Sequence, residues 1–309
     1  MSPPTAWSRR LTFSATATSV GRWGLRFWFA PHDARSLRLF RQALALSFAL
    51  YSAAWFLNAD ESLTDAGYHY SAETVKVTQP APLPTLPGWA VAPFAIVLFG
   101  TALSQIVLWR ERRTIWVVLA CAVYTQLVDL AAAFTINKLF IVGFLVIALA
   151  PETEPEPGMP EGAHSAWPVR VLQATLVIMY FGAGLAKAIY GDWLADPNVL
   201  WSQVQGGYRT EFAAFLLGAL PKPMWSVAMY SGLAFELLAP VLLMIRRLRW
   251  VGIVWGALFQ LLIAALMAKL IFFSLQVLAF YLLFLDPPLL SRLSGICRRS
   301  IPVETERQR

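Results

Sequence analysis

The chain has 309 residues, of which 58% are hydrophobic and only 14% charged, and its mean hydropathy is +0.56. That balance excludes an ordinary soluble globule and a disordered chain, and places the protein among integral membrane proteins. The formal charge of +7 is not by itself a nucleic-acid signal, because no aromatic-interleaved basic patch accompanies it.

In chain order, residues 1–32 read as a cytoplasmic tail with no apolar core and cleavage site of a signal peptide. Within that tail, "VGRWGLRFWFAP" (20–31) predicts an amphipathic helix lying in the inner interface, with Trp and Phe inserted and Arg near headgroups. Residues 33–287 read as one transmembrane domain. Runs apolar enough to span fall at 37–57, 90–109, 115–135, 169–190, 224–245, 249–268 and 270–286, each close to the ~20 residues that cross a hydrocarbon core. A shorter piece, 139–150, is a thin span or a re-entrant segment. Residues 288–309 are a basic cytoplasmic tail. The expected fold is therefore an all-α integral membrane protein. About eight transmembrane helices form one bundle, with an interfacial helix at the N-terminus and a lid of short helices on the outer face.

Charge placement supports eight crossings with both termini cytoplasmic. With that topology 19 basic residues, all Arg, lie inside or at the inner end of a span, and six lie outside, as the positive-inside rule requires. The opposite orientation reverses the bias. Losing the short fourth span moves "RRLR" (246–249) and the C-terminal arginines outside. The expected location is the inner membrane of a bacterium, since 20 of the 25 basic residues are Arg, a hint of a GC-rich genome.

The loops differ in kind. The outer loop 58–89 begins acidic and ends Pro-rich, and the inner linker "PETEPEPGMPEGAHSAWP" (151–168) is too polar and proline-broken to pack, so it reads as a solvated connector. The outer segment 191–222 mixes aromatics with a short apolar run and predicts short helices forming the lid. Cys121 falls in a span and Cys297 in the C-terminal tail, so they cannot pair. His32, His69 and His164 lie in three different loops. No metal-ligand spacing is present, so neither a zinc nor a haem site is expected.

Ionisable groups at membrane depth are costly and mark function by default. Three stand out: Asp129, Lys187 and Glu236. Gln173, Val177, Tyr180, Gly184 and Lys187 follow one another at helical offsets and share one face of the fifth span. That stripe belongs against protein or a cavity, because lipid leaves its polar groups unpaired. Lys187 falls about 27 Å along the span from residue 169, near the outer boundary, so headgroup anchoring and chemistry are both open to it. Glu236 lies near midplane in "GLAFELLAP" and needs a partner or a proton. Asp129, in the outward half of the third span, is a candidate counter-charge to Lys187. Gln260, Ser274 and Gln276 add donors and acceptors to a polar pocket opening outward under the lid.

The stretch "YFGAGLAKAIYGDWL" (180–194) resembles the Tyr-Phe-x-Ala-Gly-x-x-Lys motif, followed shortly by Trp, of the HTTM (horizontally transferred transmembrane) family, related to the membrane part of vitamin K-dependent gamma-carboxylase. "RSLRLFRQALALSFALYSAAW" (35–55), "FELLAPVLLMIRRLRWVGI" (235–253) and "FFSLQVLAFYLLFLDP" (272–287) are similar to its first, glutamate-bearing and last helices. The resemblance implies Lys187 as a base acting on a quinone-type ligand on the outer side, with Trp193 beside it. Desolvation, which weakens an amine's preference for its charged form, makes that chemistry feasible. Where relatives carry Phe-His, this chain has Phe259-Gln260, and it lacks the carboxylase's large lumenal domain. Glutamate carboxylation is therefore not expected. Two readings stand. One is a membrane enzyme or redox partner binding a quinone or other lipophilic small molecule. The other is a non-catalytic membrane subunit docking a partner protein or an exported peptide, with Lys187 as an anchor. A quinone is the only cofactor suggested.

Overall fold

A computed structural model describes residues 19–69, 82–107, 112–130, 134–150, 163–286 and 289. Residues 1–18, most of the acidic linker, part of the outer loop 58–89, Arg110 and all of the C-terminal tail but Leu289 lie outside these residues.

The described chain is mostly helical. In order it forms α1 (Ser19–Phe29), β1 (Pro31–Asp33), α2 (Ala34–Phe56), α3 (Ala59–Leu63), α4 (Gly88–Val107), α5 (Arg112–Val128), α6 (Thr135–Leu149), β2 (Ala163–Ser165), α7 (Trp167–Tyr190), α8 (Val199–Val204), α9 (Glu211–Ala219), α10 (Lys222–Met244), α11 (Arg249–Leu266) and α12 (Ile271–Tyr281). Short 3-10 turns flank α12 on both sides. Each predicted span contains a helix, with limits that agree to within four residues except at two ends: α5 stops at Val128, short of 135, and α12 at Tyr281, short of 286. By length and apolarity, α4, α7, α10 and α11 are each able to cross a membrane. The other four predicted spans fall short for visible reasons. Arg35, Arg38 and Arg41 enter α2, α5 and α6 have only 17 and 15 residues, and the last span, Ala268–Phe284 with its 3-10 turns, is apolar but short.

Local chemistry sets the ends. Asp33 caps α2 by accepting from the Arg35 amide at 2.9 Å, as a side-chain oxygen satisfies an orphan donor of the first turn. Pro168 and Pro223 sit in the first turns of α7 and α10, where a missing N–H costs nothing. Helix α7 packs on α10, α10 on α11, α11 on α12, and α12 on α2, while α4, α5 and α6 complete the bundle. Edge-to-face aromatic pairs fill the core, Phe40 with Phe280 at 4.8 Å and Phe48 with Phe140 at 5.0 Å.

Two expectations change. Residues 163–165, read as the end of a free connector, pair antiparallel with 31–33, and His32 stands opposite His164 in the ladder. The histidines of those two loops are thus brought to one short sheet. It joins the end of α1 to the start of α7, where the Arg170 guanidinium lies over the Phe27 ring at 4.8 Å. The second change concerns Asp129, which falls just past the end of α5 and not inside the helix. A carboxylate in a last turn opposes the negative end of the helix dipole.

Candidate functional site

The stripe on α7 faces inward as its spacing predicts: Gln173, Val177, Tyr180 and Gly184 are all buried. Its polar groups are met at three depths. Innermost, Gln173 donates to the Leu283 carbonyl at 2.7 Å and accepts from Arg170 at 2.9 Å. Next, the Tyr180 and Tyr281 hydroxyls bond to each other at 2.7 Å, and Gln260 donates to Tyr180 at 2.8 Å. The Tyr180 ring stands edge-on to Phe235 at 5.0 Å. Outermost, the Lys187 Nζ donates to Glu236 Oε1 at 2.5 Å.

Glu236 is therefore the counter-charge of Lys187. The carboxylate considered for that role, Asp129, lies instead within electrostatic reach of the Tyr51 hydroxyl. Spacing along one helix cannot reveal which neighbour a side chain faces.

The pair is asymmetric, with the Lys187 side chain 30% exposed and that of Glu236 5%. Two glycines make room for it. A Cβ on Gly184 would lie 2.9 Å from the Glu236 Cβ and 3.1 Å from the Leu237 amide nitrogen, so only glycine lets α7 and α10 approach this closely. Gly191 begins the turn that ends α7; a Cβ there would lie 2.9 Å from the Lys187 Cα and 3.3 Å from the Trp193 ring. Asp192 follows with a left-handed φ of 55°, a conformation that Asp tolerates better than most residues. The turn folds Trp193 back, and its buried indole lies 4.7 Å from the Lys187 Nζ, within range of a cation–π contact.

Depth follows from the helix ends. Gly184 is level with Glu236. It lies six residues from the end of α7, about 9 Å at 1.5 Å per residue. Glu236 lies 14 residues from the start of α10, about 21 Å by the same rise. Helix α10 thus overshoots α7 by about 12 Å, and the segment 191–221 fills that step. Trp193 packs with Met229 and Leu233 of α10. Val204 and Ala213, from α8 and α9, pack with Trp225 and Leu266. Thr210 caps α9 and donates to the Ala265 carbonyl at 2.6 Å. Lys187, near the end of α7, therefore lies beside the middle of α10.

Tyr281 was not among the residues singled out from sequence. Its signal, a Tyr among apolar residues seven places after Ser274, is indistinguishable from packing until the Tyr180 hydroxyl is placed against it. Several buried acceptors and donors remain without a protein partner among the described residues: Glu236 Oε2, Gln260 Oε1, Ser274 Oγ and Gln276 Oε1. Two surface grooves, one lined by Phe94, Trp116 and Tyr124 and the other by Leu46, Leu50 and Leu275, are almost wholly apolar and include neither Lys187 nor Glu236. Among the described residues no group of three His, Cys, Asp or Glu side chains is placed to hold a metal ion.

The HTTM domain matches residues 29–288, which spans every helix from α2 to α12 and the whole three-depth stripe. The chain belongs to the HTTM domain family. No curated protein and no solved structure gives a match. As a member of the HTTM family, the protein carries apolar helices compatible with a bilayer, and its Lys187–Glu236 pair joins α7 to α10.

Proposed function

We propose that this HTTM protein is a multi-pass protein of the bacterial inner membrane, crossing eight times with both termini cytoplasmic. Its outer end takes a lipophilic small molecule with a weakly acidic hydroxyl, of the quinol class, and Lys187 acts as the base. The observation that carries this reading is the direction of the Lys187 side chain. An anchoring lysine extends its ammonium outward to headgroups. This one turns inward to Glu236 and lies beside Trp193, while 30% of its side chain stays accessible. An amine that is partnered, partly desolvated and still reachable is what proton abstraction from a bound hydroxyl needs.

Tyr180, Gly184, Gln173 and Gln260 then serve as the wall behind the pair, and Trp193 as its cover. Gln260, bonded to Tyr180, cannot supply acid–base chemistry, so glutamate carboxylation is not proposed. The close packing around the pair favours a second reading, a non-catalytic subunit that docks a partner protein or an exported peptide, because neither apolar groove reaches Lys187.

Ligand-induced thermal stabilisation separates the two, since a molecule that binds only the folded state raises its stability by mass action. A long-chain quinol should raise the melting temperature of the purified wild type in detergent and leave Lys187→Met unmoved. No rise in the wild type at saturating quinol would favour the docking subunit.

A further inference from the structure

Building on the reading of Lys187 as a base, we propose that the proton it removes is stored on Glu236, so that Lys187 is a relay and Glu236 the final acceptor acting through it. At rest the Nζ donates to Oε1 at 2.5 Å, as an ammonium facing a carboxylate. An ammonium has no lone pair, so it cannot act as a base until it loses a proton. Among the described residues, the only carboxylate bonded to it is Glu236.

Three observations make Glu236 able to keep that proton. Its side chain is 5% exposed, and taking two charges out of water is what makes a buried ion pair costly. Its second oxygen, Oε2, is buried with no protein donor among the described residues, whereas carboxylates held firmly ionised accept two or three donors. The close approach of α7 at Gly184, where a Cβ would lie 2.9 Å from the Glu236 Cβ, holds the glutamate between the two helices.

The sequence of steps balances without an oxidant or reductant. An N–H bond on Nζ breaks and an O–H bond forms on Oε1, giving an amine beside a carboxylic acid. The ligand's O–H then breaks, and its proton joins the Nζ lone pair. The ligand is left as an anion against an ammonium, with one proton moved to Glu236 and the total charge of the site unchanged.

A nitrophenol with a long alkyl chain tests this, because its phenolate absorbs visible light. The full-length protein in detergent is mixed with the probe below the probe's own pKa. Visible and infrared difference spectra are then recorded in a weakly buffered medium. The wild type should form one phenolate per protein together with one carboxylic-acid C=O band that shifts in D2O, and release no proton to the medium. In Glu236→Gln the band should vanish, and any phenolate formed should be matched by a released proton. Glu236→Asp, which should move the band, serves if Glu236→Gln does not fold. Phenolate in the wild type with one released proton and no carboxyl band overturns the storage role and leaves Lys187 as a base. Absence of phenolate in the wild type overturns both.

Discussion

Removing either partner of the Lys187–Glu236 pair should destabilise the protein, but unequally, and burial decides which loss costs more. In Lys187→Met the Glu236 carboxylate, 5% exposed in the wild type, loses the donor to Oε1, and Oε2 already has none among the described residues. Breaking a buried pair in this way costs about 3–5 kcal/mol, with proton uptake by the carboxyl relieving part of it. In Glu236→Leu the stranded group is Lys187, whose side chain is already 30% exposed and can turn toward water. Solvent screening then holds the loss to about 1–2 kcal/mol, between the value for an exposed pair and that for an unsatisfied buried group. The double variant Lys187→Met/Glu236→Leu leaves no stranded charge and should recover most of the loss, since apolar replacement of a buried pair is often neutral. Melting temperatures of the four proteins in one detergent measure the cycle. Additive losses, or Glu236→Leu falling further than Lys187→Met, would refute the reasoning.

Gly184→Ala forces a Cβ to 2.9 Å from Glu236 and should cost about 1–3 kcal/mol by overpacking, whereas Gly182→Ala meets nothing within 4 Å and should not lower the melting temperature, since Ala favours a helix interior over Gly. Tyr281→Phe removes the hydroxyl bonded to Tyr180 at 2.7 Å and should cost about 1 kcal/mol, read in the same assay. Single cysteines at positions 65 and 200 should label from outside, and those at 112 and 247 only from inside. Labelling of position 112 from outside would contradict the eight-crossing topology.

The long helices α2, α4, α7, α10 and α11 were legible because each is an apolar run of nearly bilayer length, and that signal needs no tertiary information. The inward face of α7 was legible too, since Gln173, Tyr180 and Gly184 repeat at helical offsets. The β1–β2 pairing was not, because three-residue strands carry no periodicity and their partners are about 130 residues apart in the chain. The partner of Lys187 was mistaken for a related reason. Counted from the ends of their own spans, Glu236 falls at midplane and Lys187 near the surface. Only the overshoot of α10 past the end of α7 brings them level. That offset depends on how the segment 191–221 fills the step, through Trp193 and the α8–α9 contacts, and no single helix encodes it.

The claim that the outer end of the bundle holds a lipophilic hydroxyl compound at Lys187 is tested most directly by mass spectrometry of the lipids that co-purify with the protein. Wild type and Lys187→Met are extracted side by side from the same membranes. A quinone or quinol should be enriched with the wild type, approaching one per protein, and depleted at least several-fold with Lys187→Met. Equal amounts with both proteins, or no such compound with the wild type, would contradict it.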